Sequence, residues 1–200
     1  MGEGQWVSAS AEVDTTVAFR GPALIGPRAR LRSGALIGEG VLIGPDSVVE
    51  EYSRVAKYSY VGSSSRIGHG AAVSGLLFGH NTVKHPSYFR GAMGFGVNLG
   101  AGTFCGTDRF DGGSTRHYRN GVRVVVAEGA NEVYFGSGSR TGVGTCVLPG
   151  SMIGRGCTLG PGVVFSGYLL DHEEARPSRA GGLQRRPRRR VVSPSAAVVG

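Results

Sequence analysis

One apolar residue returns every six positions along most of this chain. Stepping by six from Val7 gives Val13, Phe19, Ile25, Leu31, Ile37, Ile43, Val49, Val55, Val61, Ile67 and Val73. Four positions after each sits a small residue, from Ala11 and Val17 to Ser65 and Ala71. Glycine often follows the apolar residue directly, as at Gly26, Gly38, Gly44, Gly62 and Gly68. An amphipathic helix repeats at 3.6 residues and a strand at two, so neither explains a period of six. A triangular coil with three six-residue sides does. The large aliphatic side chain points into the prism, the small one fits near a corner, and glycine tolerates the tight turn. Each coil then hydrogen-bonds to the next at strand spacing, about 4.8 Å, and needs neighbours to cover its ends.

The period predicts an all-β fold, a left-handed parallel β-helix of hexapeptide repeats. Composition agrees: 36 glycines and 8% aromatic residues in 200 leave small β-branched side chains to build the core. No G-X-Y triplet is present, which excludes collagen. The register slips near Gly79 and resumes at Met93, Leu99 and Cys105. It breaks over 106–132, then returns as Phe135, Thr141, Val147, Ile153, Leu159 and Phe165, for six or seven coils. Residues 106–132 are too long and polar for one side of the prism. Asn120-Gly121 lies there between β-formers, so the segment reads as a projecting loop with a hairpin, placed where function concentrates. The predicted domain is 1–170, with 171–200 a tail that is disordered from 176. Residues 168–175 read as a short helix or cap, and Trp6 as a cap on the open end of the prism.

The net charge of +8 is local rather than general. Seven arginines and no carboxylate follow Glu174, so the body carries about +1. A solvated Arg-, Pro- and Ser-rich terminus accounts for that, and no specific nucleic-acid partner is expected. The three cysteines stand at no metal-ligand spacing and fit a reducing compartment. Cys105 and Cys157 take inward positions and Cys146 an outward one. The opening MGEGQWVSAS has no basic region followed by an apolar one, and no stretch approaches a membrane span. The expected location is cytoplasmic.

Specific residues gather at the breaks in the period. They are Thr82-Val83-Lys84-His85-Pro86-Ser87-Tyr88, Val97-Asn98-Leu99-Gly100-Ala101-Gly102-Thr103, Arg109-Phe110-Asp111-Gly112, and the run from Arg140 to Gly150. In this order they resemble the acetyltransferase domain of the bifunctional sugar-1-phosphate nucleotidyltransferase/glucosamine-1-phosphate acetyltransferase family, the archaeal members most of all. The resemblance covers roughly residues 20–166. It implies an acetyl-CoA-dependent (acyl-CoA-dependent) N-acyltransferase acting on an amino sugar, an amino sugar phosphate or a related small amine. It implies His85 as general base, a role that neutral imidazole suits because amine attack on a thioester releases a proton near neutral pH. It further implies Tyr88, Asn98 and Arg109 at the acceptor, and a coenzyme groove that includes Ala101, Thr141 and Gly142. By fold-level analogy the site lies between the subunits of a homotrimer. No metal is expected.

The chain departs from that family in several places. The segment before His85 is one residue shorter, Pro86 replaces an apolar residue, and Ser74 stands where the family has a phosphate-binding lysine. The family's acceptor-binding Asn-Tyr pair falls near Thr107 and Asp108. Arg32 matches the family's arginine but lies 53 residues before His85, nearly three coils or roughly 14 Å along the axis. Arg54 or Lys57 occupies the equivalent height instead, and Lys57 joins the predicted substrate-binding residues. Two other readings stay open. One is a non-catalytic β-helix scaffold or regulatory subunit. The other is a zinc enzyme resembling the gamma-class carbonic anhydrases, with His80, His85 and an upstream His69 as ligands. His117 and Tyr118, beside the predicted turn, read as a solvated hairpin or as contacts to an acceptor or a neighbouring subunit.

Overall fold

A computed structural model of the chain describes residues 4–84, 86–109, 111–119, 122–125, 131–178 and 180–187. They form strands and turns only, wound as a left-handed parallel β-helix of about nine coils. Each full coil contributes one short strand to each of three walls. In the second coil these are Ala23–Ile25, Arg30–Leu31 and Leu36–Ile37, on the first, second and third wall respectively. The strands stack in register, Val7 on Ile25, Ile25 on Ile43 and Val13 on Leu31.

The six-residue period sets this interior. From the second coil onward the residues on it, Ile25, Leu31, Ile37, Ile43 and their successors, are buried in one continuous core. Each contributes about 1.5–3 kcal/mol by leaving water. The small residues two places earlier are buried too, and where they are serine the hydroxyl is satisfied by the next coil. Ser47 Oγ donates to the Gly62 carbonyl at 2.9 Å, and Ser53 Oγ to that of Gly68 at 2.7 Å. The glycine after the apolar residue serves a purpose other than the predicted turn. A Cβ on Gly38 would come within 2.5 Å of the Lys57 backbone nitrogen, so the site is closed by the coil stacked on it. The left-handed turn residue stands two places further on, and Arg28, Asp46, Tyr52, Tyr58 and Ser64 adopt that conformation as readily as Gly34 or Gly40 here.

The slip in the period has a definite geometry. Val61 stacks on Leu77 and Leu77 on Met93, steps of 16 residues, whereas Ile25, Ile43 and Val61 follow one another at 18. The two missing residues come from the corner between the third and first walls. There Ala72–Gly79 and Tyr88–Phe95 run through without a break, and the two walls merge into one 15-stranded sheet beside a separate 10-stranded second wall. The register therefore never lapses; it shortens by two residues at each of two successive corners, and does so again where Ile153 stacks on Leu169.

The described part of the loop at 106–132 folds back on the helix rather than projecting. Its strands Arg116–Arg119 and Val122–Val125 pair antiparallel, as the hairpin signal predicts, while Asn120 and Gly121 lie outside the described residues. The hairpin lies back on the first wall. Tyr118 stacks on Tyr168 with ring centroids 5.5 Å apart, and His117 meets Tyr134 edge-on at 5.2 Å. The outer face of that wall is apolar from end to end, a ladder of Trp6, Leu24, Leu42, Tyr60, Leu76, Ala92, Tyr134, Met152 and Tyr168. Trp6 is thus an outer rung, 65% exposed, and not a cap on the prism.

The expected helix or cap at 168–175 and the unstructured chain from 176 are also revised. Tyr168–Leu169 and Glu173–Pro177 are strands, and Leu183–Pro187 folds back antiparallel on the latter. The pairing is held by Glu174, whose buried carboxylate accepts from Arg176 and, at 2.8 Å, from Arg186. Residues 188–200 lie outside the described residues.

Candidate functional site

The three corners of the prism differ, and the predicted residues divide among them. The second–third corner carries the residues predicted to form a coenzyme groove. Lys84 and Pro86 flank His85 in sequence, and His85 itself lies outside the described residues. Pro86 is fixed one coil below the next turn, where Gly102 donates to its carbonyl at 2.9 Å. Gly144 in turn donates to the Ala101 carbonyl at 2.8 Å. The chain flanking His85, then Ala101, then Gly142 therefore climb one edge in successive coils.

Two features of that edge bear on a coenzyme's pantetheine arm. Glycines make it smooth, since nothing lies within 4 Å of a Cβ added at Gly144 or Gly162. The backbone N–H groups of Ala101 and Val143 enter no hydrogen bond among the described residues, leaving two stacked donors for an amide-bearing chain. The Thr141 side chain turns away from this edge, which leaves only its backbone there. It faces the interior, where its hydroxyl accepts from Gly100 N at 2.9 Å and meets Thr103 Oγ1 at 2.7 Å.

The acceptor residues do not converge within one chain. Tyr88 lies on the outer face of the third wall, stacked between Ala72 and Phe104. Asn98 lies on the outer face of the second wall, between Thr82 and Arg140, with its side-chain oxygen buried and unpartnered among the described residues. Arg109 belongs to the inserted segment, where Nε donates to Asp111 at 2.8 Å. The carboxylate holds the guanidinium above its ordinary pKa, so this cation is already engaged.

Lys57 and Tyr88 do share a site. At the third–first corner a recess of about 860 Å³ opens over the shortened turns. Its floor includes Gly75 and Gly91, which pair across adjacent coils. A Cβ on Gly75 would fall 2.0 Å from the Gly91 carbonyl oxygen, and one on Gly91 1.9 Å from that of Val133. With the corner cut short and its floor free of side chains, the full-length corner at Lys57–Tyr58 stands as one bank. Glu132, where the inserted segment rejoins the helix, stands as the other. Arg90 reaches Glu132 at 3.2 Å and ties the insertion down. The sequence marked Lys57 and Tyr88 but gave no sign of Arg20, Glu39, Arg90 or Glu132, which lie in three different coils and an insertion.

Among the described residues the histidines do not gather for a metal. His80 lies at the start of the second wall and Lys84 at its end. His69 sits at the second–third corner, 3.4 Å from Glu51 and edge-on to Tyr52. Among the described residues no three His, Cys, Asp or Glu side chains converge. Cys105 and Cys157 are buried, and burial pushes the Cys105 thiol up to about 12.

Comparison with protein-family models gives no match for this sequence, and comparison with curated proteins gives none either. Solved structures are similar in fold. A UDP-N-acetylglucosamine acyltransferase from Campylobacter jejuni is 14% identical, with a TM-score of 0.46 over 90% of this chain and 73% of that one. A UDP-N-acetylglucosamine acyltransferase from Francisella novicida is 11% identical, with a TM-score of 0.40 over 92% and 69%. PerB from Caulobacter crescentus, solved with CoA and GDP-perosamine, is 18% identical, with a TM-score of 0.27. The chain spans 56% of its length.

Proposed function

We propose that this protein is an acyl-CoA-dependent N-acyltransferase acting on an amino sugar or related small amine, with His85 as general base. The observation that carries the reading is the shared edge. The chain flanking His85 and the smooth corner of Ala101 and Gly142 lie one above another, with the Ala101 and Val143 N–H groups unpaired among the described residues. That edge suits an extended pantetheine arm, whose thioester supplies the acyl group. His85 would accept the proton of the attacking amine, and Tyr88, one strand further on, would hold the acceptor.

The placing of Tyr88 and Asn98 on different faces fits a site completed between subunits, one face from each, and we assign the active assembly as a homotrimer. The test is to offer purified protein acetyl-CoA with a panel of amino sugars and their phosphates, following thiol release. Turnover with one acceptor, lost at least a hundredfold in His85→Ala, supports the assignment. No turnover above background hydrolysis, or an unimpaired His85→Ala, overturns it and leaves the scaffold reading in its place.

A further inference from the structure

The inserted hairpin covers the first wall only in its upper coils, and the lower half of that outer face is bare. No charged side chain stands on the ladder there, and Trp6, Leu24, Leu42 and Leu76 are 44% to 65% exposed. Phe78 and Phe95, with ring centroids 6.2 Å apart at the adjoining first–second corner, widen the strip. The proposed active site uses the other two walls, with Asn98 on the second and Tyr88 on the third. The first wall lies opposite the corner those two share. A homotrimer closed through them leaves this strip facing outward.

Cations border the strip. Above it, the hairpin exposes Arg116 and Arg123, and its sequence has no carboxylate between residues 112 and 125. At the third–first corner stand Arg20 and Lys57. These four join no ion pair among the described residues. Of the carboxylates on the same borders, Arg28 takes Asp46 and Arg90 takes Glu132, which leaves Glu39. The border is therefore positive. The rungs from Trp6 to Ala92 span about 24 Å at about 4.8 Å per coil, on a wall about 10 Å wide. That strip offers about 250 Å², well under the roughly 800 Å² per partner of a stable protein–protein interface. A second copy or another protein gains too little from it, whereas a bilayer surface needs no matching shape.

We propose that this face docks on the surface of an anionic lipid bilayer. Trp6, Leu24, Leu42 and Leu76 enter the boundary between headgroups and acyl chains, while Arg116, Arg123, Arg20 and Lys57 meet the lipid phosphates. Tryptophan favours that boundary, since its ring is apolar and its N–H finds a partner among the headgroups. Apolar burial and attraction to anionic headgroups add, and attachment of this kind draws on both. In a trimer, one such face meets a flat bilayer at a time. The proposal rests on the acyltransferase reading only for which walls the homotrimer occupies.

The experiment mixes the full chain with vesicles of phosphatidylglycerol and phosphatidylcholine in equal parts, and with vesicles of phosphatidylcholine alone. Co-sedimentation is read together with the emission of Trp6, the one tryptophan of the chain. Binding to the anionic vesicles only, weakened by salt and accompanied by a shift of Trp6 emission to shorter wavelength, supports the proposal. The partition coefficient should fall roughly tenfold in Leu24→Ser/Leu42→Ser and roughly tenfold or more in Arg116→Gln/Arg123→Gln. Arg116→Lys/Arg123→Lys should retain binding. The altered side chains are exposed, and an unchanged melting temperature verifies the fold. No sedimentation, or equal sedimentation with phosphatidylcholine alone, overturns the proposal. So does an unmoved Trp6 emission or full binding by either of the first two double variants, since attachment then lies on another surface. A smaller solution mass for Leu24→Ser/Leu42→Ser would make the strip a contact between copies, and overturns it too. Vesicle binding without acetyl transfer counts against the acyltransferase reading alone, and acetyl transfer without vesicle binding against the docking face alone.

Discussion

At the scale of single residues, the backbone is decided by what the next coil permits. Gly70 and Gly75 illustrate two constraints that look alike in sequence. Gly70 has a φ of +66 and open space where a Cβ would stand. Gly70→Ala therefore carries only the left-handed penalty, about 1 kcal/mol. Gly75 has a φ of +117, and its missing Cβ would meet backbone, which cannot swing aside as a side chain would. Gly75→Ala should destabilise by about 3 kcal/mol or more and disturb the recess above it. Denaturant midpoints of the two variants check this, and equal losses would show that the shortened corner is looser than the contacts imply. Tyr58 shows why the turn need not be glycine. Its ring lies against Gly40 of the preceding coil, in the space a side chain there would take. The hydroxyls of Ser47 and Ser53 were legible only as small residues, because a period shows size and burial but not the carbonyl that each donates to.

At the scale of elements, two hairpins close what a bare coil would leave open. The inserted hairpin covers the upper rungs of the first-wall ladder, Tyr134, Met152 and Tyr168, through the His117 and Tyr118 rings and the Tyr118 N–H, which lies 3.3 Å from the Met152 sulfur. The terminal hairpin at 173–187 ends the parallel stack on an antiparallel strand rich in arginine. Its pH response follows from Glu174. Burial raises that carboxyl's pKa, but hydrogen bonds from Arg186 and Arg176 outweigh burial and hold it below the ordinary value. A pKa depressed in the fold stabilises at pH above the unfolded value, about 4.3. That stability is lost as pH falls through the folded value. Amides of 173–187 should accordingly lose hydrogen-exchange protection below about pH 4, before those of the inner coils. Glu174→Gln should remove most of that pH dependence; an unchanged profile would place the response elsewhere. The tail expectation erred because charge density was read as disorder, whereas one buried carboxylate gives two of those arginines a partner.

At the scale of the whole molecule, the proposed homotrimer predicts a solution mass three times the 20.7 kDa chain. Sedimentation or light scattering decides it, and a monomer at working concentrations removes the interfacial part of the site. The six-residue period by itself determined the fold class, the inward residues and the coil stacking, because in a solenoid each residue's environment repeats with the chain. The break it showed after Cys105 lies between the strands Phe104–Cys105 and Val133–Phe135. Motif order marked the turn at His85 and the Ala101–Gly142 edge. Only the tertiary structure decided what the corners do. Removing two residues from a corner is invisible as chemistry, yet it cuts the prism and opens the recess. The charges that line the recess come from coils up to 70 residues apart in sequence, Arg20 to Arg90, brought together by stacking alone. The same stacking turned Thr141 inward and parted Tyr88 from Asn98, since neighbours along the chain face different walls and neighbours across coils share one.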